Sequence, residues 1–196
     1  MLIVVGLGNP TEEYKGTRHN LGYRIVMDLA DKLKKDFKED SVVYRANQYL
    51  KTKVEDEEVV LSLPLGYMNN SGEAVSQIFD FYRDSEVKNL WVIHDDTDIP
   101  FGEIRVKYAG TSAGHNGIKS IDKSIGNKYW RMRVGVGKPK HAGFDLSRYV
   151  LSKFTDEEQE TLPTIIDQAA SYLLKSLSKG NIEPTTFNVK DNKNKS

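Results

Sequence analysis

Two hydrophobic periods divide this chain. Runs and alternations of apolar residues predict strands; apolar residues recurring every three or four positions predict helices. The run Leu2-Ile3-Val4-Val5 predicts a buried strand over 2–7. Leu21, Ile25, Val26, Leu29, Leu33 and Phe37 share one helical face and predict a helix over 21–37. Segments 44–54 and 59–65 read as two strands joined at the acidic turn 55–58. A helix over 71–84 turns Ala74, Val75, Ile78, Phe79 and Tyr82 inward, and Asn70 followed by Glu73 has the spacing of a capping box. Short strands follow at 90–93 and 103–108. After them come a glycine-rich loop over 110–117, a helix carrying Ile118, Ile121 and Ile125, and a strand over 132–136. Thr155 and Glu158 form a second capping-box pair, opening a helix to about Lys179 in which Pro163 marks a kink or a first-turn position. Residues 188–196 lack an apolar anchor and read as a loose tail.

Strands alternate with helices, without repeats or a linker, over 196 residues. The expected fold class is α/β: a single domain over 1–188, a sheet between two helical layers, and a tail over 189–196. The central hairpin makes the sheet mixed rather than all parallel. Polar motifs fall just after strands, where sheets of this class place their sites.

Composition narrows the chemistry. The chain has no cysteine, which excludes disulfides, thiolate catalysis and Cys-ligated zinc and fits a reducing cytosol. It shows neither a signal-peptide pattern nor an apolar run near the ~20 residues that span a bilayer. The expectation is a soluble cytoplasmic protein. Formal net charge is zero, but it is unevenly spread. From Phe101 to Lys140, nine basic residues stand against Glu103 and Asp122, a local net charge of +7. Such a region on an acidic body is a candidate phosphate-facing surface; a solvated lysine-rich face is the plainer alternative.

Gly6-Leu7-Gly8 after the first strand invites a dinucleotide-binding reading. That fingerprint needs a third glycine where Thr11 stands and an acidic residue on a second strand about 20 residues on; here a helix intervenes. The glycines are expected to serve a tight turn. Gly110-Thr111-Ser112-Ala113-Gly114 matches G-x-S-x-G between a strand and a helix, so a serine esterase is a rival class. Downstream of Ser112 only His115 and His141 remain, and His115 is too close in sequence to serve easily. Asp95, Asp96 and Asp98 offer a magnesium reading, weaker than an acidic turn, and no pair of histidines has zinc-helix spacing. His19, in a polar loop, is the remaining candidate base, and Asp95 at a strand end is a candidate partner for one ring nitrogen. Asn9, Asn69 and Asn116 sit in glycine-rich loops, where an amide can donate to an oxyanion or accept from a peptide N–H without adding charge.

Five motifs combine these residues: V-G-L-G-N-P…Y…T-R-H-N over 5–20, Y-M-N-N-S-G over 67–72, H-D-D-T-D-I-P over 94–100, G-H-N-G over 114–117 and R-V-G-V-G over 133–137. In this order and spacing the chain closely resembles the bacterial peptidyl-tRNA hydrolases, over essentially residues 1–188. The resemblance implies hydrolysis of the ester joining a peptide to the terminal ribose of tRNA, on a three-layer α/β/α domain with a mixed twisted sheet. It implies that His19 is the general base and that Asp95 holds its ring. Asn9 would help distinguish a blocked from a free amino group, with Asn69 and Asn116 at the peptide-ester end. Tyr14 and Tyr67 would line the site of the tRNA end, and Arg105, Lys107 and Arg133 would face tRNA phosphates. It implies no metal, no cofactor and a monomer. Gly66, Asn70 and Thr97 depart from the usual family pattern, as does the lack of a further glycine before the His of G-H-N-G, which touches loop stiffness, the lid over the cleft and peptide preference rather than chemistry. A non-catalytic RNA-binding relative is the third class.

Overall fold

The computed structural model describes residues 1–83, 85–139, 143, 145–180 and 183–189. In chain order the elements are β1 (Leu2–Gly6), α1 (Leu21–Lys32), α2 (Phe37–Asp40), β2 (Val42–Tyr44), β3 (Asn47–Val54), β4 (Glu57–Pro64), α3 (Ser71–Phe81) and β5 (Leu90–Asp96). They continue with β6 (Glu103–Tyr108), α4 (Asn116–Ile125), β7 (Trp130–Gly135), α5 (Leu146–Val150), α6 (Asp156–Lys179) and β8 (Thr185–Asn188). The strands form one sheet in the order β2-β3-β4-β1-β5-β7-β6-β8. Its centre, β4-β1-β5-β7, is parallel, and antiparallel pairs flank it on both sides.

Alternation along the central strands sorts the core into two layers. On β1, Ile3 and Val5 pack with α3 and α4 residues such as Val75, Ile78, Ile118 and Ile121. Val4 points the other way, into a cluster with α1 and α6, including Ile25, Leu29, Ile165 and Leu173. On β5, Leu90 and Val92 take the first face and Trp91 and Ile93 the second. A strand buried on both faces has to be apolar throughout, which is why these runs do not alternate with polar residues. The expected sheet between two helical layers is therefore present.

Several boundaries differ from the expected ones. The helix read as 21–37 stops at Lys32: Leu33 donates to Ala30 and Leu29, Lys34 adopts φ +56°, and Phe37 starts α2 while still packing into the α1 core. The strand read as 44–54 is broken by Arg45 at φ +50°, which folds β2 back on β3. Asn70 does not cap α3: it ends a 3₁₀ turn, and its side chain makes no cap bond. The Thr155–Glu158 box does form. Pro163 lies inside α6, beyond the first turn. The tail is shorter than expected, because β8 pairs with β6 and Val189 is fully buried with its N–H on Gly102 O. Residues 190–196 lie outside the described residues.

Two glycines bring the site together by close approach. A Cβ on Gly22 would lie 2.2 Å from Ile93 O, and one on Gly6 would lie 2.5 Å from Gly22 O. The first turn of α1 thus rests directly on the ends of β1 and β5. Neither Gly6 nor Gly8 has positive φ, so the tight-turn role expected of that pair is corrected to a contact role. Gly8 is similar, with a Cβ there meeting the Tyr23 ring at 2.7 Å.

Candidate active site

The close seating of α1 delivers the 3₁₀ turn Arg18–Asn20 onto the carboxyl end of β5. His19 Nδ1 lies 2.9 Å from Asp95 Oδ1, with the two side chains 9% and 2% exposed. A buried carboxylate accepts, so Nδ1 donates and the lone pair stands on Nε2, toward the cleft. Burial opposes protonation of His19, yet the charge and hydrogen bond of Asp95 hold it above its ordinary value. Burial alone would push the Asp95 carboxyl up, but the imidazoles of His19 and His115 hold it far below the usual carboxylate range.

His115 enters the same cluster, although its nearness in sequence to Ser112 had spoken against it as a partner there. Its Nε2 lies 3.1 Å from Asp95 Oδ1, and its Nδ1 accepts from the N–H groups of Gly117 and Ile118 as the N-cap of α4. Behind it, His94 stands edge-on to His115, with Nδ1 on the Asp95 carbonyl and its Nε2 buried without a partner. Burial above all keeps His94 neutral. His19, Asp95 and His115 are spaced closely enough for a metal ion. Their protons argue against one: His115 Nδ1 faces two backbone donors, so Nε2 carries the proton and has no lone pair to coordinate.

Asn9 is pinned twice. Its backbone exchanges hydrogen bonds with the Asn20 amide at 2.9 and 2.8 Å, and its Oδ1 accepts from Met68 N–H at 2.9 Å. Because a backbone donor fixes which atom is oxygen, Nδ2 is the Asn9 group turned to the cleft. The cleft, of about 540 Å³, is lined by Asn9, His19, Tyr67, Met68, Asn69, Asp95, Asp96, Thr97, His115 and Asn116, and across from them by Leu146, Ser147, Val150 and Leu151. Asn69 and Asn116 are exposed at its rim. Tyr14 is not among the lining residues; neighbouring Glu13 raises its phenol, with a smaller effect from Tyr67.

The wall bearing Leu146–Val150 is fastened to the turn that bears His19. Arg18, buried, reaches Ser152, Lys153 O and Glu158 and lies over the rings of Tyr149 and Phe154. Glu158 is also the acid of the α6 capping box, so one carboxylate serves a helix end and the cleft wall.

Arg105, Lys107 and Arg133 come together in a second hollow of about 460 Å³, with Tyr108 and residues 184–186. They arrive there because Arg105 and Arg133 are cross-strand partners on β6 and β7. The basic segment is not a uniform face. Arg131 is buried, bound to Asp122 and Thr111 O, and Lys138 pairs with Asp98. Arg133 uses Nε on Asp96 and Arg105 uses Nε on Glu103, which leaves their Nη groups for other partners. Lys140 and His141 lie outside the described residues. The acidic turn forms no magnesium cradle: Asp95, Asp96 and Asp98 are engaged by histidines, Arg133 and Lys138 respectively. Ser112 does not line the cleft and has no histidine bonded to its hydroxyl among the described residues, so the nucleophile-elbow reading loses its base.

The family model described as peptidyl-tRNA hydrolase matches residues 3–196. A curated peptidyl-tRNA hydrolase of Wolinella succinogenes is 39% identical over 93% of this chain and 90% of its own length. That of Aquifex aeolicus is 40% identical over 89% of each. The crystal structure of peptidyl-tRNA hydrolase from Acinetobacter baumannii superposes with a TM-score of 0.79 at 35% identity, covering 92% of this chain and 89% of that one. With the fold, the five motifs and these likenesses together, the chain belongs to the peptidyl-tRNA hydrolase family.

Proposed function

We propose that the chain hydrolyses the ester between peptide and tRNA by a water molecule that His19 activates, without a covalent intermediate. The observation that carries this reading is the 2.9 Å bond from His19 to Asp95, which orients the ring and leaves Nε2 as the acceptor facing the cleft. An ester releases a ribose alkoxide more readily than a peptide releases an amine, so one base and neutral donors suffice. Asn9 Nδ2 is the best placed donor for the ester carbonyl. Its oxygen accepts from Met68 N–H and keeps a second lone pair, so this donor role stands beside the expected reading of the blocked amino group by Asn9.

Selection for blocked substrates has a second source. Asp95 Oδ1 holds two imidazoles and Asp96 holds Arg133 and the Asp98 N–H, so both cleft carboxylates already have N–H partners that weaken their pull on a free ammonium. Asn69 and Asn116 at the rim suit the backbone of a varied peptide, and Tyr67 offers a ring to the tRNA end. Tyr14 stands outside that wall and takes the lesser part. The second hollow supplies phosphate contacts that position any tRNA without reading its sequence. The scheme needs no metal or cofactor, and a monomer suffices for it. No described helix is long and apolar enough to cross a membrane, and a compartment where translation runs, such as the cytoplasm, suits this substrate.

The test is release of free N-blocked amino acid from blocked aminoacyl-tRNA. His19→Ala, still folded, is expected to lower kcat by ~10² or more. Near-normal turnover by that variant would remove His19 from the mechanism, and an acyl adduct on Ser112 in a quenched reaction would overturn the absence of a covalent intermediate.

A further inference from the structure

His115 has a function outside the base and donor roles above. Its Nδ1 accepts from Gly117 N–H at 3.1 Å and Ile118 N–H at 3.3 Å, which fixes the ring proton on Nε2. Nε2 donates to Asp95 Oδ1 at 3.1 Å, the same oxygen that holds His19 Nδ1 at 2.9 Å. The two rings stand 4.7 Å apart, centroid to centroid. We propose that His115 is a positioning residue for the base. As a fixed, neutral donor it shares the Asp95 oxygen with His19, and so limits how strongly Asp95 holds a proton on His19. This rests on the reading of His19 as the base.

The argument is electrostatic. A carboxylate oxygen that accepts two N–H groups has less negative potential to offer either one, so the imidazolium of His19 is less favoured than beside a singly bonded Asp95. The His115 tautomer cannot invert, because a proton on Nδ1 would face two backbone donors at the start of α4. Its ring therefore relieves Asp95 without bringing a charge of its own.

Other groups nearby are engaged or remote. On β5, Asp96 is held by Arg133 and the Asp98 N–H, and buried His94 touches His115 only edge-on. On the His19 turn, Arg18 is paired with Glu158. α1 brings Tyr23 and Arg24, α5 brings Arg148 and Tyr149, and Tyr67 lines the cleft; among the described residues none of these is bonded to either imidazole.

Two substitutions separate the two duties of the ring. Asparagine at 115 keeps an oxygen near the place of Nδ1 to cap α4, but it is too short to reach Asp95. Glutamine carries an amide N–H to the place of Nε2 but gives up the cap. The measurement is an NMR titration of the His19 ring, with the pH dependence of kcat/KM beside it. His115→Asn is expected to raise the His19 midpoint by about one unit and move the acid limb of the rate profile with it. His115→Gln is expected to titrate near wild type while melting at a lower temperature. A merely structural role predicts the reverse, with glutamine harmful and asparagine silent. A folded His115→Asn that titrates as wild type does, or a His115→Gln that shifts as far, overturns the proposal. Should His115→Asn not fold, ¹⁵N shifts of the unmodified protein decide: Nε2–H at His115 across neutral pH supports it, and Nδ1–H overturns it. The titration follows the ring rather than turnover, so a failure of the general-base reading would show separately, as an active His19→Ala.

Discussion

The two hollows of this molecule are built on opposite terms. At the floor of the cleft, at the ends of β1 and β5, the polar groups are buried and bonded: Asp95 to two imidazoles, Asn9 to Met68 N–H, Asp96 to Arg133. In the hollow on β6, β7 and β8, Lys107 is exposed and the two arginines are bonded through Nε, with side chains 41% and 23% exposed. Buried groups that are mutually satisfied hold one geometry, and in low dielectric a small displacement is costly. Exposed cations act through a screened field that tolerates movement. The cleft is therefore the place for a rate and the hollow the place for an affinity. Arg133 links the two, since it holds Asp96 of the cleft while lining the hollow.

The sharpest way to break this contrast is at Asp95. Asp95→Asn removes the carboxylate and lets an amide N–H face His19 Nδ1, which favours the wrong tautomer; kcat is expected to fall roughly 10²-fold, less than or close to the loss in His19→Ala. The pH profile checks the cause. Because Asp95 raises the His19 pKa, wild-type kcat/KM should rise with pH through a midpoint above 6.5, as the base loses its proton. In Asp95→Asn that midpoint should move down. A midpoint that stays in place would detach the acid limb from this pair.

Next in size is the seating of α1. Gly22→Ala puts a methyl group against Ile93 O and the Leu7 backbone, and neither can step aside. A loss of about 3 kcal/mol is expected, roughly 6–12 °C in melting temperature, with kcat falling even where the protein remains folded. A variant with unchanged stability would show that the strand ends can yield.

The hollow should respond more gently. Lys107→Ala is expected to raise KM several-fold for every tRNA alike, leave kcat near wild type, and flatten the slope of log affinity against log salt by roughly 0.7–0.9. A minimal ester carrying only the terminal nucleotide should not register the change. Arg133→Ala should do both things, altering the salt slope and also lowering kcat, because Asp96 loses its partner. Equal salt slopes for wild type and Lys107→Ala would leave the hollow without a phosphate role. The smallest effect belongs to Ser112→Ala, expected to keep activity within about twofold, since among the described residues no base is bonded to its hydroxyl.

Much of this was legible in one sequence. The apolar runs of β1 and β5 and the faces of α1, α3 and α4 follow from periodicity, because burial on two faces or on one leaves different patterns. His19, Asp95 and Asn9 stood out as polar residues at strand ends and in loops, and the five linked motifs made the family recognisable. Local signals failed where the deciding atoms were distant. Leu33 and Phe37 kept the helical period past the point where Lys34 turned left-handed. β8 has no pattern of its own and exists because β6 would otherwise be an open edge. Arg131 and Arg133 counted equally as charge until Asp122 and Asp96 claimed them.

The residues that can do the chemistry were thus fixed by composition and motif, since only certain side chains abstract protons, donate to oxyanions or neutralise phosphates. Which of them act together was decided by tertiary structure. A hydrogen bond depends on a few tenths of an ångström between atoms 76 positions apart, as His19 and Asp95 are. That distance is set by Gly6 and Gly22 letting a helix end rest on two strands. The same packing turns His115 from a loop residue into a second donor on Asp95, because its tautomer is chosen by the backbone N–H groups that open α4.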